Sequence, residues 1–362
     1  MTCAILGLGT AVPVESFSQE AALEMSTAVV CEDARQERMM RILFRKAGIE
    51  KRGAVIPTSL GHDWKQRPDA LNPGHGPRTG ERMKLYEEFS GSLATSASQA
   101  ALDDAQVDAV EITHLVTVSC TGFGAPGVDI GLIEDLGLPG TTQRINVGFM
   151  GCHGAINGMR VVQGLVAANP NAKVLMCAVE LCSLHFRMAW DDEGIIGNAL
   201  FADGAAALVV SADAGNQTPL WNISGSGSCL IPDSRDAMSW HIGDHGFDMR
   251  LTGRVAESIE DSLQPWMTSW LNSLDCRQED VGGWAVHPGG PRILDAVETA
   301  LSLPQDATAN SRKILREHGN MSSPTVLFVL DRIRKLGTPG PIIALAFGPG
   351  LMAEATFLTP VD

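Results

Sequence analysis

The stretch Val147-Gly148-Phe149-Met150-Gly151-Cys152-His153-Gly154-Ala155 decides how the chain is read. A cysteine sits among small residues, and an apolar-periodic run follows it through Ile156, Met159, Val162, Leu165 and Val166. That spacing predicts a buried helix starting within a residue or two of Cys152. Unpaired N–H groups and the positive end of the helix dipole would then meet the thiol and favour the thiolate, the nucleophilic form. The flanking glycines let a substrate approach the backbone closely. The same residues also suit an inert cysteine packed in a strand-to-helix turn, so the rest of the chain has to decide.

The 362 residues are 44% apolar and 19% charged, with 38 glycines, and the net charge is −15. This is a globular composition with length enough for one large domain or two halves sharing a core. The acidic balance disfavours nucleic acid and anionic membranes as partners. The eight cysteines (Cys3, Cys31, Cys120, Cys152, Cys177, Cys182, Cys229, Cys276) form no CxxC pair, and no Cys/His cluster has zinc spacing. No metal site is therefore expected, and reduced thiols in a cytoplasmic protein are. The first residues lack a basic n-region, so no signal peptide is expected, and no apolar run reaches the roughly 18–20 residues of a membrane span.

Ala4 to Leu8 reads as a strand, and residues 17–48 as helical with wet faces at Glu20, Glu24, Arg35, Glu37 and Arg38. Arg41, Arg45 and Lys46 gather cations near the end of that run, as a solvated face or as a grip on a substrate phosphate. Residues 56–82, rich in Pro, Gly, His and Arg, read as an irregular loop. A helix of small residues (Ser90 to Ala101) precedes a buried strand from Thr113 to Cys120. Buried strands are also expected at Lys173–Glu180 and Ala205–Val210.

Beyond a Gly- and Asp-rich midpoint near 212–217, the order of elements repeats. A helix (Ile259–Leu274) leads to the strand Gly283-Trp284-Ala285-Val286-His287. Gly319-Asn320-Met321-Ser322-Ser323 opens a helix as Gly151-Cys152 does, and Ile342 to Gly350 matches Lys173–Glu180. The alternation argues two parallel-rich α/β sheets in duplicated halves, 1–216 and 217–362. Under that duplication Cys152 and Asn320 open equivalent helices, and His287 ends a strand equivalent to the one ending at Cys120. Strand C-termini and helix N-termini face the ligand side of such sheets, so the three residues are expected to converge. A thiolate accepts and releases acyl groups, and a histidine beside it keeps it ionised. An Asn amide next to a His N–H stabilises an oxyanion or enolate.

Five motifs carry a family resemblance: Gly151-Cys152 with its helix, Ala199-Leu200-Phe201-Ala202-Asp203-Gly204, Val286-His287-Pro288-Gly289-Gly290-Pro291, Gly319-Asn320-Met321-Ser322-Ser323, and Ala346-Phe347-Gly348-Pro349-Gly350. In order and spacing the chain resembles the type III polyketide synthases, the chalcone synthase-like branch of the thiolase superfamily. The resemblance implies a thiolase-like five-layer αβαβα fold and a homodimer. It implies an acyltransferase that condenses malonyl-CoA iteratively onto an acyl-CoA starter held on Cys152, followed by cyclisation to a pyrone, resorcinol or phloroglucinol-type product. His287 and Asn320 would bind the thioester carbonyl and then the enolate left by decarboxylation. Phe201 matches a gatekeeper phenylalanine. CoA thioesters would be the substrates, with no cofactor.

The chain departs from the family in several places. The second gatekeeper position falls on Met249. Of the family's three spaced CoA-binding cations only Lys46 falls on a matching position, with Arg41 and Arg45 close by. Ala346 replaces the first glycine of a Gly-Phe-Gly-Pro-Gly motif whose Phe347 and Gly348 are kept. Cys120, with Thr121 beside it, stands where plant enzymes have Thr. Glu180-Leu181-Cys182-Ser183 resembles members taking fatty acyl starters, yet His185 and Phe186 are bulky where an acyl tunnel would run. His153 has no family role. The alternatives are a ketoacyl-carrier-protein synthase making one condensation, a non-catalytic acyl-CoA-binding homologue, and a cysteine hydrolase.

Overall fold

The computed structural model describes residues 3–57, 63–64, 75–215 and 217–361. Most of the irregular loop expected at 56–82 lies outside the described residues. No described helix is long and apolar enough to cross a membrane.

The first half supplies β1 (Ala4–Ala11), β4 (His114–Ser119), β5 (Gln143–Gly148), β6 (Lys173–Leu181) and β7 (Asp203–Ser211). The second supplies β8 (Trp221–Leu230), β11 (Gly283–Val286), β12 (Ile342–Gly348) and β13 (Met352–Thr359). Two short ribbons stand apart: β2 (Ser16–Ser18) with β3 (Lys51–Gly53), and β9 (Met238–Gly243) with β10 (Gly246–Leu251).

The expected pair of parallel-rich sheets is corrected in two respects. The nine strands form one hydrogen-bonded sheet, ordered β11-β12-β13-β8-β1-β7-β6-β4-β5. The halves are stitched where Ala4 and Ile5 face Asn222 and Trp221. Only β4 with β5, β4 with β6, and β11 with β12 run parallel; the other neighbours are antiparallel. Apolar runs mark strands but carry no direction, so the sequence pattern could not separate the two arrangements.

Helices fill three layers around the sheet halves. The helix Gly154–Ala168 packs on β4, β5 and β6 on one side and on β8, β12 and β13 on the other. Thr325–Lys335 likewise touches β1 and β7 as well as β11 and β12. These two therefore form the middle layer, and Ile156, Met159, Val162, Leu327 and Leu330 lie in the core between the halves. The outer layers are Thr79–Ala105, packed on β1, β6 and β7, and the paired helices Arg254–Asn272 and Pro291–Ala300. The result is the five-layer αβαβα arrangement.

Two helical expectations change in extent. Residues 17–48 hold β2 and two helices, Gln19–Val30 and Ala34–Lys46. The break falls where Asp33 caps the second helix, its Oδ1 accepting from the N–H groups of Arg35 and Gln36 at 2.8 Å each. The small-residue helix runs longer than Ser90–Ala101, because Arg82 in its first turns is buried against the carbonyls of Pro77, Leu184 and Phe186.

Candidate active site

β5 ends at Gly148, and the chain turns through Phe149, Met150 and Gly151 into the helix Gly154–Ala168. Gly151 sits at φ +83°, and a Cβ there would lie 2.7 Å from Pro349 Cδ, so both conformation and packing require glycine. Cys152 follows, buried, with His153 in the cap position. His287 lies one residue beyond β11, and Asn320 precedes the helix Thr325–Lys335. Cys152, His287 and Asn320 line one cavity of about 460 Å³ together with Phe201, Met249, Gly289 and Phe347. The convergence expected from the duplicated halves is present.

Asn320 Oδ1 accepts from the Ser322 N–H at 2.8 Å, which leaves its Nδ2 as the donor, 3.4 Å from the Gly289 carbonyl. Both ring nitrogens of His287 are buried without a partner. Burial pushes the Cys152 thiol up to about 11, opposed by Ser322 and Asn320. Burial also pushes His287 down to about 3, with His153 adding to the effect. Burial thus works against the thiolate that the helix start and a neighbouring histidine were expected to favour.

A second cavity adjoins the first through Cys152, Phe201 and Met249, and adds Cys120, Thr121, Cys182, Trp240, Ser322 and Pro349. Ser322, at φ 56°, places its hydroxyl 3.3 Å from Cys120 Sγ and 3.7 Å from Cys152 Sγ. Beneath lies Glu180, fully buried. Its Oε2 accepts from Cys120 N–H at 2.9 Å and Thr121 Oγ1 at 2.7 Å, and its Oε1 from Ser323 Oγ at 2.5 Å. Burial raises its pKa against these donors. Neither Ser322 nor Glu180 was assigned a role from sequence. A carboxylate inside an apolar strand was the available signal, since such a group must find donors.

A third chamber, of about 780 Å³, shares Cys182, Phe201, Trp240 and Met249 with these cavities. His185 belongs here rather than beside the nucleophile. Its Nε2–H donates to the Thr121 carbonyl at 2.6 Å, Nδ1 accepts from Phe247 N–H at 2.9 Å, and its ring stacks on Phe247 at 4.1 Å.

Gly348 lines none of these cavities. It seats His153: a Cβ at Gly348 would lie 2.3 Å from His153 Cδ2. His153 itself is buried, with Nδ1 bound to Asn157 Oδ1 at 2.6 Å. Arg41, Arg45 and Lys46 are exposed and line none of the three cavities; Arg41 pairs loosely with Glu37 at 3.7 Å. Just beyond their helix, Gly48 and Pro291 share a surface groove with Arg312, Lys313 and Arg316. Pro291 opens the helix Pro291–Ala300, and two residues before it Gly289 lines the Cys152 cavity.

The pattern described as chalcone and stilbene synthases, N-terminal domain, matches residues 2–214, and its C-terminal counterpart matches residues 222–362. The chain belongs to the chalcone and stilbene synthase family, the type III polyketide synthases. It is 30% identical to type III polyketide synthase C of Arabidopsis thaliana, over 97% of this chain and 93% of the relative. It is also 30% identical to the alpha-pyrone synthesis polyketide synthase-like Pks18 of Mycobacterium tuberculosis, over 97% of this chain and 89% of the relative. Among solved structures, PKS-I of the brown alga Ectocarpus siliculosus superposes with a TM-score of 0.90 at 30% identity, covering 99% of this chain and 98% of that one. The type III domain of Steely1 from Dictyostelium superposes at 0.92 with 28% identity, covering 100% of both chains. As a type III polyketide synthase the chain is an acyltransferase-type enzyme, and the layered fold is the thiolase-like one of these neighbours.

Proposed function

We propose that this polyketide synthase loads an acyl-CoA starter onto Cys152 and extends it with malonyl-CoA by repeated decarboxylative condensation, closing the product to a pyrone, resorcinol or phloroglucinol-type ring. The reading is carried by one observation: Cys152, the unpartnered His287 and the oriented Asn320 amide share one dry cavity. In loading, neutral His287 takes the Sγ proton as sulfur attacks the thioester carbonyl, and the CoA thiol leaves with a proton. Malonyl-CoA then loses carbon dioxide. The electron pair of the broken C–C bond becomes an enolate, whose oxygen meets donors from Asn320 Nδ2 and the His287 ring. The enolate carbon attacks the Cys152 thioester, a new C–C bond forms, and the thiolate leaves.

Phe201 and Met249 stand between the cavities as gatekeepers, and Cys120, Thr121, Cys182 and Phe347 complete the walls. The groove of Arg312, Lys313 and Arg316 suits the anionic end of CoA, with Arg45 and Lys46 just before Gly48 of the same groove in sequence. CoA thioesters supply the chemistry, which asks for no metal or redox cofactor. β5 is an edge strand whose residues are mostly exposed, continuing into half-exposed Phe149 and Met150, and this edge supports a homodimer. The cysteines, all free, fit a cytoplasmic setting.

The test is purified protein with an acyl-CoA panel and labelled malonyl-CoA. Carbon dioxide release and a multiply extended product are expected, both abolished in Cys152→Ala. Turnover surviving Cys152→Ala would refute the reading. A single extension made only from carrier-bound malonate would favour a ketoacyl synthase.

A further inference from the structure

Three cysteines, Cys120, Cys152 and Cys182, line the second cavity. Cys3, Cys31, Cys177, Cys229 and Cys276 line none of the cavities described above. Condensation uses the Cys152 sulfur alone. Two of the three are joined through a common atom: the Ser322 hydroxyl lies 3.3 Å from Cys120 Sγ and 3.7 Å from Cys152 Sγ.

The backbone fixes this meeting. Cys120 follows β4, and Cys152 lies in the turn that leaves its parallel neighbour β5. The Phe149 N–H donates to the Ser119 carbonyl at 3.0 Å and ties that turn to the end of β4. Cys120 is held on both sides, its N–H by Glu180 Oε2 at 2.9 Å and its carbonyl by Trp240 Nε1–H at 2.7 Å. A turn about each Cα–Cβ bond, with the Ser322 hydroxyl stepping aside, is the motion that brings the sulfurs toward the roughly 2 Å of a disulfide.

The two thiols are unequal. Burial pushes both up, Cys152 to about 11 and Cys120 well above its ordinary value, where Glu180 adds to the effect. Ser322 opposes the push at both, and Asn320 at Cys152. Cys152 therefore ionises first, and the thiolate is the form an oxidant attacks.

We propose that Cys120 is a resolving thiol: hydrogen peroxide oxidises Cys152 to a sulfenic acid, and Cys120 captures it as a Cys120–Cys152 disulfide that a small-molecule thiol reverses. The chemistry needs only the two sulfurs and stands apart from the condensing reading. The Cys152 sulfur attacks one peroxide oxygen, the O–O bond breaks, and hydroxide leaves with the thiol proton as water. Sulfur loses two electrons and the peroxide gains them. The Cys120 sulfur then attacks the sulfenic sulfur. The S–S bond forms, the S–O bond breaks, and hydroxide leaves with the Cys120 proton as a second water. Without Cys120, further peroxide carries Cys152 to the sulfinic acid, which thiols do not reduce.

Peptide mass spectrometry tests this without any assay of turnover. The purified protein is treated with hydrogen peroxide, its free thiols are blocked with iodoacetamide in urea, and it is digested without reductant by trypsin, which cuts between the two cysteines at Arg144. A peptide pair joined through Cys120 and Cys152 is expected, and dithiothreitol given before blocking returns both thiols. In Cys120→Ser the pair is absent, and the Cys152 peptide accumulates as a sulfinic acid that dithiothreitol leaves unchanged. Cys182→Ser keeps the link. The wild-type digest carries the comparison even if a variant folds poorly. Wild-type Cys152 reaching the sulfinic acid with no linked pair would overturn the proposal, as would a link from Cys152 to Cys182 or a Cys152 untouched by peroxide. A linked pair in a protein that never condenses malonyl-CoA sinks the condensing reading alone. Condensation by a protein that forms no pair does the reverse.

Discussion

Phe201 and Asn320 are joined backbone to backbone. The Ala202 N–H donates to the Asn320 carbonyl and the Asn320 N–H to the Leu200 carbonyl, each at 2.9 Å, in a one-residue parallel bridge. Two cavity-lining residues, Phe201 from the first half and Asn320 from the second, are thus tied together by their backbones. Arg52 braces it, its Nη1 lying 2.9 Å from the Phe201 carbonyl.

Arg52 is buried and serves three carbonyls, those of Asn198, Ala199 and Phe201. Arg52→Met leaves these unpaired, at about 1–3 kcal/mol each. Urea denaturation is expected to show a loss of at least ~3 kcal/mol, only partly restored in Arg52→Lys, whose point charge cannot reproduce the fork. A wild-type midpoint in Arg52→Met would refute the bracing role.

Asn320 presents Nδ2 to the cavity because Ser322 N–H occupies its Oδ1. Asn320→Asp keeps the shape, loses the donor and adds a charge that opposes an enolate. Decarboxylation of malonyl-CoA is expected to drop by roughly 10²–10³-fold. Loading of Cys152, followed by mass spectrometry of the acylated peptide, is expected to drop less. Equal losses in both steps would mean general damage to the site.

Ser322 lowers the Cys152 thiol against the upward push of burial. Ser322→Ala is therefore expected to move the pH profile of Cys152 alkylation by iodoacetamide to higher pH. The modified peptide is read individually, because other cysteines are present. An unmoved profile would remove Ser322 from any part in activating the thiol.

That Cys152, His287 and Asn320 share one cavity was legible because each has a distinctive chemistry and sits near the start or end of an apolar strand or helix. The sheet's continuity was not: it depends on Ala4 and Ile5 meeting Asn222 and Trp221, a long-range pairing that periodicity does not encode. Arg41, Arg45 and Lys46 were read as a cluster, yet the groove cations come from Arg312, Lys313 and Arg316, brought to Gly48 only by folding. His185 looked like an obstruction from its size. Its bonds to Thr121 and Phe247 arise from residues distant in sequence.

His185 makes stability depend on pH. Its Nδ1 faces the Phe247 N–H, so no second ring proton is accommodated, and burial pushes it down to about 3 from 6.5. Between those values the unfolded chain binds the proton and the folded chain does not. The contribution is complete above about pH 6.5 and is lost as pH falls toward 3. Asp203, raised to about 6 by burial, acts in the opposite sense. His185→Gln removes the histidine's share. The slope of unfolding free energy against pH, measured in urea between about pH 5 and 6, is expected to become shallower by up to ~1.4 kcal/mol per unit. An unchanged slope would show that His185 is not held neutral.

Gly348 and His153 are fitted to each other, since a Cβ on the glycine would strike the imidazole. Gly348→Ala alone is expected to cost about 1–3 kcal/mol from overpacking. His153→Ala alone loses buried packing and the Asn157 bond. With both changes the new methyl group enters the space vacated by the ring, so the double variant is expected to be more stable than the sum of the single losses, by about 1 kcal/mol or more. Urea unfolding of the four proteins gives the coupling directly. Additive losses would mean that Gly348 is needed for its backbone and that His153 owes its place to some other contact.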